Sequence, residues 1–347
     1  MPRGLPLLRS IPIPPMAVWG FRKVVNNKLP LCRAHRTGDN GERDIFADNN
    51  GFVDVADILS WAGKKRINLM TCYHALPRGP SLNFPSGERP VLANGGVVNT
   101  NNGVLVATTD GACIGYSDTM PLTWSRDLVM NIVFLRGSTP LTNAWVLGAD
   151  AAGSSYRDCE IFVPARSTKL SLGEDMNADL PDNGVMGVNT ASIITAIRTA
   201  TGASPRGSLR QNGMVMQTIT TDRVSPSAEP TRICVFGDPD GGVGGFAKPG
   251  LFAPAGWGFQ EIIIWNDATP PALDSIMAVE KSQSDFYNIP LFDSPAVPYA
   301  VDYVGAAATV VGQTVSLWPT NGLMAEVNGQ PVGFLTTDPG DYFLEYA

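Results

Sequence analysis

Two histidines, five cysteines and a scatter of carboxylates are the side chains here that could perform acid–base, nucleophilic or metal chemistry. His35 and His74 have no partner at metal-ligand spacing, and no Gly-x-Ser-x-Gly elbow accompanies them, so each reads first as an ordinary surface or half-buried histidine. Cys32, Cys72, Cys113, Cys159 and Cys234 are far apart, with no Cys-x-x-Cys among them. That spacing argues against zinc, the odd number leaves at least one thiol unpaired, and buried free thiols are expected. The glycine cluster at 237–245 lacks Gly-Lys-Ser/Thr and any βαβ context, so it reads as a loop between strands and not as a phosphate cradle. Within it, Asp238-Pro239-Asp240-Gly241-Gly242 has the composition of a turn. Sugar binding needs an aromatic face against the C–H face of a pyranose, and Trp124, Trp145, Trp257, Trp265 and Trp318 are the indoles considered for it. Trp257, between Gly256 and Gly258, is the one expected to be exposed; the others are expected in the core.

The elements that position these residues read as short strands. Eight Asn-Gly steps punctuate the chain: 40–41, 50–51, 94–95, 102–103, 183–184, 212–213, 321–322 and 328–329. Both residues tolerate positive φ, which type I′ hairpin turns require. Between the steps lie β-prone runs at 104–107, 132–135, 144–147, 192–197, 214–216 and 233–236, and Phe259-Gln-Glu-Ile-Ile-Ile-Trp265 is the clearest strand. Helical spacing is confined to two stretches. Val53 to Trp61 aligns Val55, Ile58, Leu59 and Ala62, and Pro271 to Tyr287 aligns Leu273, Ile276, Met277 and Phe286. Pro271 suits a helix start. The pattern predicts a mainly antiparallel β body with two peripheral helices.

Hydrophobic residues make up 44% of the 347 and charged residues 16%, ample for a large core. Net charge is -7, and Lys and Arg are scattered, so no phosphate-tracking surface and no nucleic-acid partner are expected. No apolar run of about 18 residues predicts a membrane-spanning helix. The first 15 residues carry Arg3 and Arg9 but five prolines, which forbid the apolar helical run of an export signal. Synthesis in a cytoplasm without export is therefore expected. Residues 1–18 read as an extended Pro-rich arm, 19–290 as the main β domain and 291–347 as a small Pro-containing β appendage, too short to bury much core alone.

Several segments resemble the concanavalin A-like, laminin-G-like jelly-roll family, which includes phage-associated modules and the arabinofuranosidase B-type catalytic domain. Trp19-Gly-Phe-Arg-Lys23 is similar to the family's YSLRKL opening, and Arg33-Ala-His-Arg-Thr-Gly-Asp-Asn-Gly-Glu-Arg-Asp-Ile45 to RVRRSSDNTEQDI. Val53 to Trp61 is similar to LDTAALLAF, and Leu69 to Gly79 stands where VTTWYDQSGNG occurs. Near the end, Gly256 to Trp265 and Phe286-Tyr-Asn-Ile289 resemble the closing strand and helix. The frame spans about residues 19–289. In the Tyr-Asp-Gln-Ser loop this chain has Tyr73-His74-Ala75-Leu76, losing the Asp and Gln.

The resemblance implies a two-sheet antiparallel jelly-roll sandwich. In its arabinofuranosidase branch the nucleophile lies in an Asp-Met-Glu run and the acid/base in Gly-Gly-Asp-Asn. Carried over, Asp158-Cys159-Glu160 makes Glu160 the nucleophile and Phe236-Gly237-Asp238-Pro239 makes Asp238 the acid/base of a retaining hydrolase. Laminin-G-like modules that bind calcium through loop carboxylates imply Asp238 and Asp240 as its ligands here, two where calcium wants about six to eight oxygens. The expectation is no metal and no other cofactor, with calcium as the one alternative. His74, in place of the family's Asp, joins Trp257 and Asp238 as the ligand-contact expectation. The favoured function is a non-enzymatic structural protein of a phage or virus particle, a tail, fibre or head-decoration component located in the virion. Its expected partners are further copies of itself, other virion proteins and, through the lectin-like jelly roll, host glycans. The alternatives are a carbohydrate-binding module of a non-viral protein and a retaining arabinofuranosidase.

Overall fold

The computed structural model describes residues 13–25, 28–76, 79–111, 113–138, 144–150, 159–163, 169–171, 187–200, 207–219, 229–237 and 254–291 of a first compact unit, and Phe292 just past its end. In a second unit it describes 307–310, 313–318, 324–327, 330–338 and 341–345. The division between the units falls after Leu291. The mainly β expectation holds.

In chain order the first unit has β1 (Ala17–Gly20), β2 (Cys32–Arg36), β3 (Gly41–Ile45), α1 (Val55–Ala62), β4 (Ile67–Cys72), β5 (Leu82–Asn83), β6 (Val91–Asn94), β7 (Val97–Val98), β8 (Thr100–Asn101), β9 (Val104–Leu105) and β10 (Ala107–Thr108). There follow β11 (Gly115–Ser117), β12 (Leu128–Arg136), β13 (Ala144–Asp150), β14 (Cys159–Val163), β15 (Lys169–Ser171) and β16 (Thr190–Arg198). It closes with β17 (Gly207–Gln211), β18 (Met214–Ile219), β19 (Arg232–Val235), β20 (Gly258–Trp265) and α2 (Leu273–Tyr287).

Among the described residues the pairings are antiparallel, and most of those in this unit fall into two series. One runs β3-β2-β4-β5-β11-β19-β13-β14-β15. The other runs β20-β12-β16-β17-β18, with β1 and β10 sharing the outer edge of β20. β6 joins the two, pairing with β4 on one side and β10 on the other. One core cluster draws on both: Cys32, Ala34, Leu69, Cys72, Ile233 and Val235 from the first series, and Leu128, Met130, Ile132, Phe134, Ile262 and Ile264 from the second.

β12 and β20 are buried at every position. A strand covered on both faces reads as a continuous apolar run instead of alternating, which is why Ile262-Ile263-Ile264 was legible as a strand. Their second face lies under α2, where Val129, Ile263 and Trp265 meet Ile276 and Val279. The hairpin turns follow the Asn-Gly reading at two steps: Asn102 and Gly103 have φ of 51° and 78°, and Asn212 and Gly213 have 46° and 88°. The steps at 183, 321 and 328 involve residues outside those described.

The two helices depart from their expected faces. α1 is capped by the Asp54 carboxylate, which accepts the Asp57 N–H at 3.0 Å, and it buries Ile58 and Ala62 while Leu59 is exposed. α2 exposes Leu273 and Met277 and buries Val279, Glu280, Gln283 and Tyr287 beside Ile276 and Phe286. Apolar spacing found Ile58, Ala62, Ile276 and Phe286 but missed the rest of α2's buried stripe, because that stripe carries two polar residues with partners on the sheet. Among the described residues no helix is long and apolar enough to cross a membrane. The second unit is a five-stranded antiparallel meander, β21 (Ala307–Val310), β22 (Gln313–Trp318), β23 (Met324–Val327), β24 (Gln330–Asp338) and β25 (Asp341–Glu345).

Candidate functional site

Trp257 corrects the expectation of an exposed platform. Its side chain is fully buried in the shared core, edge-on to Phe134 with ring centroids 5.2 Å apart. The flanking glycines serve packing and not a loop tip. Gly256 holds φ +84°, and a Cβ on Gly258 would lie 2.7 Å from the Ala107 carbonyl oxygen, so only glycine lets β20 approach β10 there. No sugar reaches that indole. Trp124 and Trp265 are buried as expected, Trp124 under the Arg198 guanidinium at 4.4 Å.

His74 is also withdrawn from solvent. Its Nδ1 accepts the Leu76 N–H at 3.0 Å, and its ring lies so close over Gly79 that a Cβ there would collide with it. Burial pushes its pKa down, holding it neutral. It closes a turn and presents nothing to a ligand. His35 is half-buried on the β2–β3 hairpin, with Nε2 3.3 Å from Asn40 Oδ1.

Glu160 lies on β14, and Gly148 of β13 pairs with Glu160 on one side and with Cys234 of β19 on the other. The strand that carries the nucleophile expectation is thus two strands from the one leading to Gly237. Asp238 and Asp240 lie outside the described residues. All five cysteines are buried, and none is joined in a disulfide. Among the described residues no three His, Cys, Asp or Glu side chains come together to hold a metal.

Among the described residues a concave surface lies where β3 runs into α1. A groove of about 260 Å³ is lined by Asp44, Phe46, Asp48, Asp54, Asp57 and Trp61, among others. Local structure fixes each carboxylate. Asp48 Oδ1 accepts the N–H groups of Asn50 and Phe52 at 2.8 and 2.9 Å, folding the 48–52 turn back so that Ala47 bridges Val53. Asp54 caps α1, Asp57 pairs with Arg43, and Asp44 accepts the Tyr73 hydroxyl at 3.1 Å. Arg36 and Arg43 hold their guanidiniums 5.3 and 5.8 Å from the Trp61 ring centroid. Phe46, past the end of β3, is 51% exposed. It also borders a second groove of about 170 Å³, lined by Lys23, Lys28, Leu29 and Asn49. An apolar ring therefore stands between an acidic trough and a cationic one. Carboxylates accept pairs of hydroxyl hydrogens, amides and ammonium groups complement them, and the ring offers a stacking face. Sequence reasoning passed over Phe46 and Trp61 because they are separated by α1's approach and marked by no motif.

A second polar cluster is buried on the α2 side of β12, β16 and β20. Arg22 forms a two-pronged ion pair with Glu261, and Tyr287 donates its hydroxyl to the same carboxylate at 3.0 Å. Gln283 Nε2 reaches Glu261 Oε1 at 2.9 Å and also donates to Asn131 Oδ1. Asn131 donates to Thr195 at 2.9 Å, Thr195 to Glu280 at 2.8 Å, and Arg210 to both oxygens of Glu280. Burial first, then the neighbouring Glu261 charge, pushes the Tyr287 phenol well above its ordinary range. Closed to solvent and bonded mostly within itself, with Arg210 Nη1 and Gln283 Oε1 left without a partner, this chain of groups is structural.

No known protein family and no curated protein matches the sequence. Solved structures do match in fold. An arabinofuranosidase complexed with arabinofuranosyl-α-1,2-xylobiose aligns with TM-score 0.56 and 11% identity over 98% of this chain and 80% of its own. A GH54 α-L-arabinofuranosidase soaked with a cyclic sulfate inhibitor aligns with TM-score 0.54 and 12% identity over the same shares. A Trypanosoma rangeli sialidase in complex with sialic acid overlaps 62% of this chain and 31% of its own, at TM-score 0.41 and 12% identity. At 11 to 12% identity the two arabinofuranosidases share this chain's fold, and the likeness extends to nothing finer.

Proposed function

We propose that this chain is a carbohydrate-binding protein with a concanavalin A-like jelly roll, and that Phe46 and the carboxylates beside it form its sugar contact. The observation that carries the reading is the exposed Phe46 ring standing in a groove of acceptor side chains, on a fold shared with arabinofuranosidases. Two series of strands closing on one core cluster support the jelly-roll assignment. Stacking beyond simple burial is worth about 0.5–1.5 kcal/mol for an aromatic face. Phe46→Ala is therefore expected to weaken binding of arabinoxylan oligosaccharides by about three- to tenfold, with the midpoint of unfolding unchanged. Titration followed by calorimetry reads this. Absence of binding to an arabinoxylan and host-glycan panel by the parent chain removes the proposal.

The hydrolase reading rests on Glu160, placed on β14 two strands from β19. Turnover of an aryl arabinofuranoside, abolished in Glu160→Gln, would establish it, and an inert parent chain ends it. As the setting of the glycan contact we propose a phage or virus particle, in which copies of this chain and other virion proteins are its partners. Imaging of the native assembly tests that location.

A further inference from the structure

Two of the five cysteines meet. β2 and β4 are neighbouring antiparallel strands, and their register sets Cys32 directly opposite Cys72. One step further out, the Tyr73 N–H donates to the Leu31 carbonyl at 2.9 Å. A bond from that flanking pair leaves Cys32 and Cys72 as a non-hydrogen-bonded pair, the closer kind, with Cα atoms about 4.5 Å apart. Disulfides span Cα separations of about 4.4–6.8 Å. Both side chains face the shared core cluster, so neither has to swing across the sheet to reach the other. Burial pushes the Cys72 thiol well up, and the neighbouring Cys32 pushes it further. Among the described strands Cys159 stands opposite Ala149, and Cys234 opposite Gly148 and Tyr116.

We propose that Cys32 and Cys72, free thiols in this structure, are a disulfide site that closes when the chain folds in the presence of a small-molecule or protein disulfide as oxidant. Each thiol gives up one proton and one electron, a bond forms between the two Sγ atoms, and the oxidant's disulfide is reduced to two thiols. Thiolate is the attacking form, and burial keeps both groups protonated once folded. The bond therefore forms before β4 settles against β2 and is shielded afterwards. It would enclose β3 and α1 in one covalent loop, with Cys32 paired to Ile45, the residue before Phe46. The inference rests on strand register alone and stands whether or not the groove binds sugar.

The test starts from the full chain, reduced and unfolded, then refolded with reduced and oxidised glutathione or with dithiothreitol in parallel. Thiols are counted in denaturant, and peptides are mapped by mass spectrometry. The five thiols, less the two joined, should fall to three in the glutathione sample. The peptide holding Cys32 should be linked to that holding Cys72, and thermal unfolding should shift upward by several degrees relative to the reduced sample. Cys72→Ala, refolded identically, should keep all its remaining thiols. A folded sample with five free thiols, or a bond joining any other pair, overturns the proposal. Where oxidative refolding gives no β-rich circular dichroism spectrum, the count is made on reduced folded protein held with the same glutathione couple near its unfolding midpoint. Five free thiols there overturn the proposal as well.

Discussion

Glu280 is the residue whose removal tests the account of the buried polar layer most severely. It lies on α2, and its carboxylate and the Arg210 guanidinium are each 1% exposed. Arg210 donates from Nε to Oε1 at 2.9 Å and from Nη2 to Oε2 at 2.8 Å, and Thr195 adds a third donor at 2.8 Å. Glu280→Ala deletes the carboxylate that accepts all three bonds and leaves a guanidinium in the interior with only the Gly213 carbonyl among the partners seen here. Stranding one member of a buried pair costs about 3–5 kcal/mol, a large part of the roughly 5–15 kcal/mol that holds a domain folded. Glu280→Gln keeps the volume and one acceptor yet still strands the charge, so its loss should approach that of alanine. The paired replacement Arg210→Met with Glu280→Leu removes both charges and fills the space. It should be more stable than Glu280→Ala by about 2 kcal/mol or more. Lys281→Ala, one residue along, breaks only the solvent-exposed pair with Asp285 and should cost less than about 0.5 kcal/mol. Urea unfolding followed by tryptophan fluorescence, at constant m-value, reads all four. A Glu280→Ala loss below about 1 kcal/mol, or a double variant no more stable than Glu280→Ala, refutes the reasoning.

His74 should make stability pH-dependent. Its folded pKa is pushed below the ordinary 6.5 by burial, so the unfolded chain takes up the proton first, and stability present above that value is lost as pH falls toward the folded pKa. Denaturant midpoints measured between about pH 7 and pH 5 should drop in the parent and drop less in His74→Gln. Gly79→Ala drives a methyl group into the His74 ring and should lower stability by about 1–3 kcal/mol, seen as an earlier urea midpoint. Asp54→Ala removes the N-cap of α1 and should cost about 1 kcal/mol, while Asp54→Ser should recover most of it. An unchanged midpoint in Asp54→Ala would show that the cap contributes nothing.

The strands were legible because their burial is written in composition: Ile262 to Trp265 is an unbroken apolar run on a doubly covered strand, and Asn102-Gly103 and Asn212-Gly213 supply the positive φ their hairpins adopt. The face of α2 was not legible. Glu280 and Gln283 read as solvent-facing, and only the partners Arg210, Glu261 and Asn131, distant in sequence, reverse that reading. Trp257 misled for the opposite reason, because glycines on both sides suit a loop and equally suit two strands approaching closely. Phe46 and Trp61 are ordinary residues until the 48–52 turn brings β3 alongside α1. Cys32 and Cys72 become a pair only once the register of β2 on β4 is known.

The two faces of the β20-β12-β16 sheet are built on different principles, and the difference bears on what α2 does. The face toward the shared core is apolar and tolerant, since Leu, Met, Ile and Phe side chains can repack against one another with modest loss. On the α2 side the apolar cluster of Val129, Ile263, Trp265, Ile276 and Val279 is small, and a helix sliding by one turn could bury a similar area. The polar groups do not permit that slide. Glu280 must meet Arg210 while Gln283 meets Asn131 and Glu261, and a shift along the helix would break the buried Arg210–Glu280 pair and both Gln283 contacts together. Hydrophobic burial holds α2 against the sheet, and the ion-pair chain fixes its register there. Because Arg22 and Glu261 belong to that chain, and Gly20 two residues earlier abuts the Gln260 carbonyl, α2 also fixes how the first strand seats on β20.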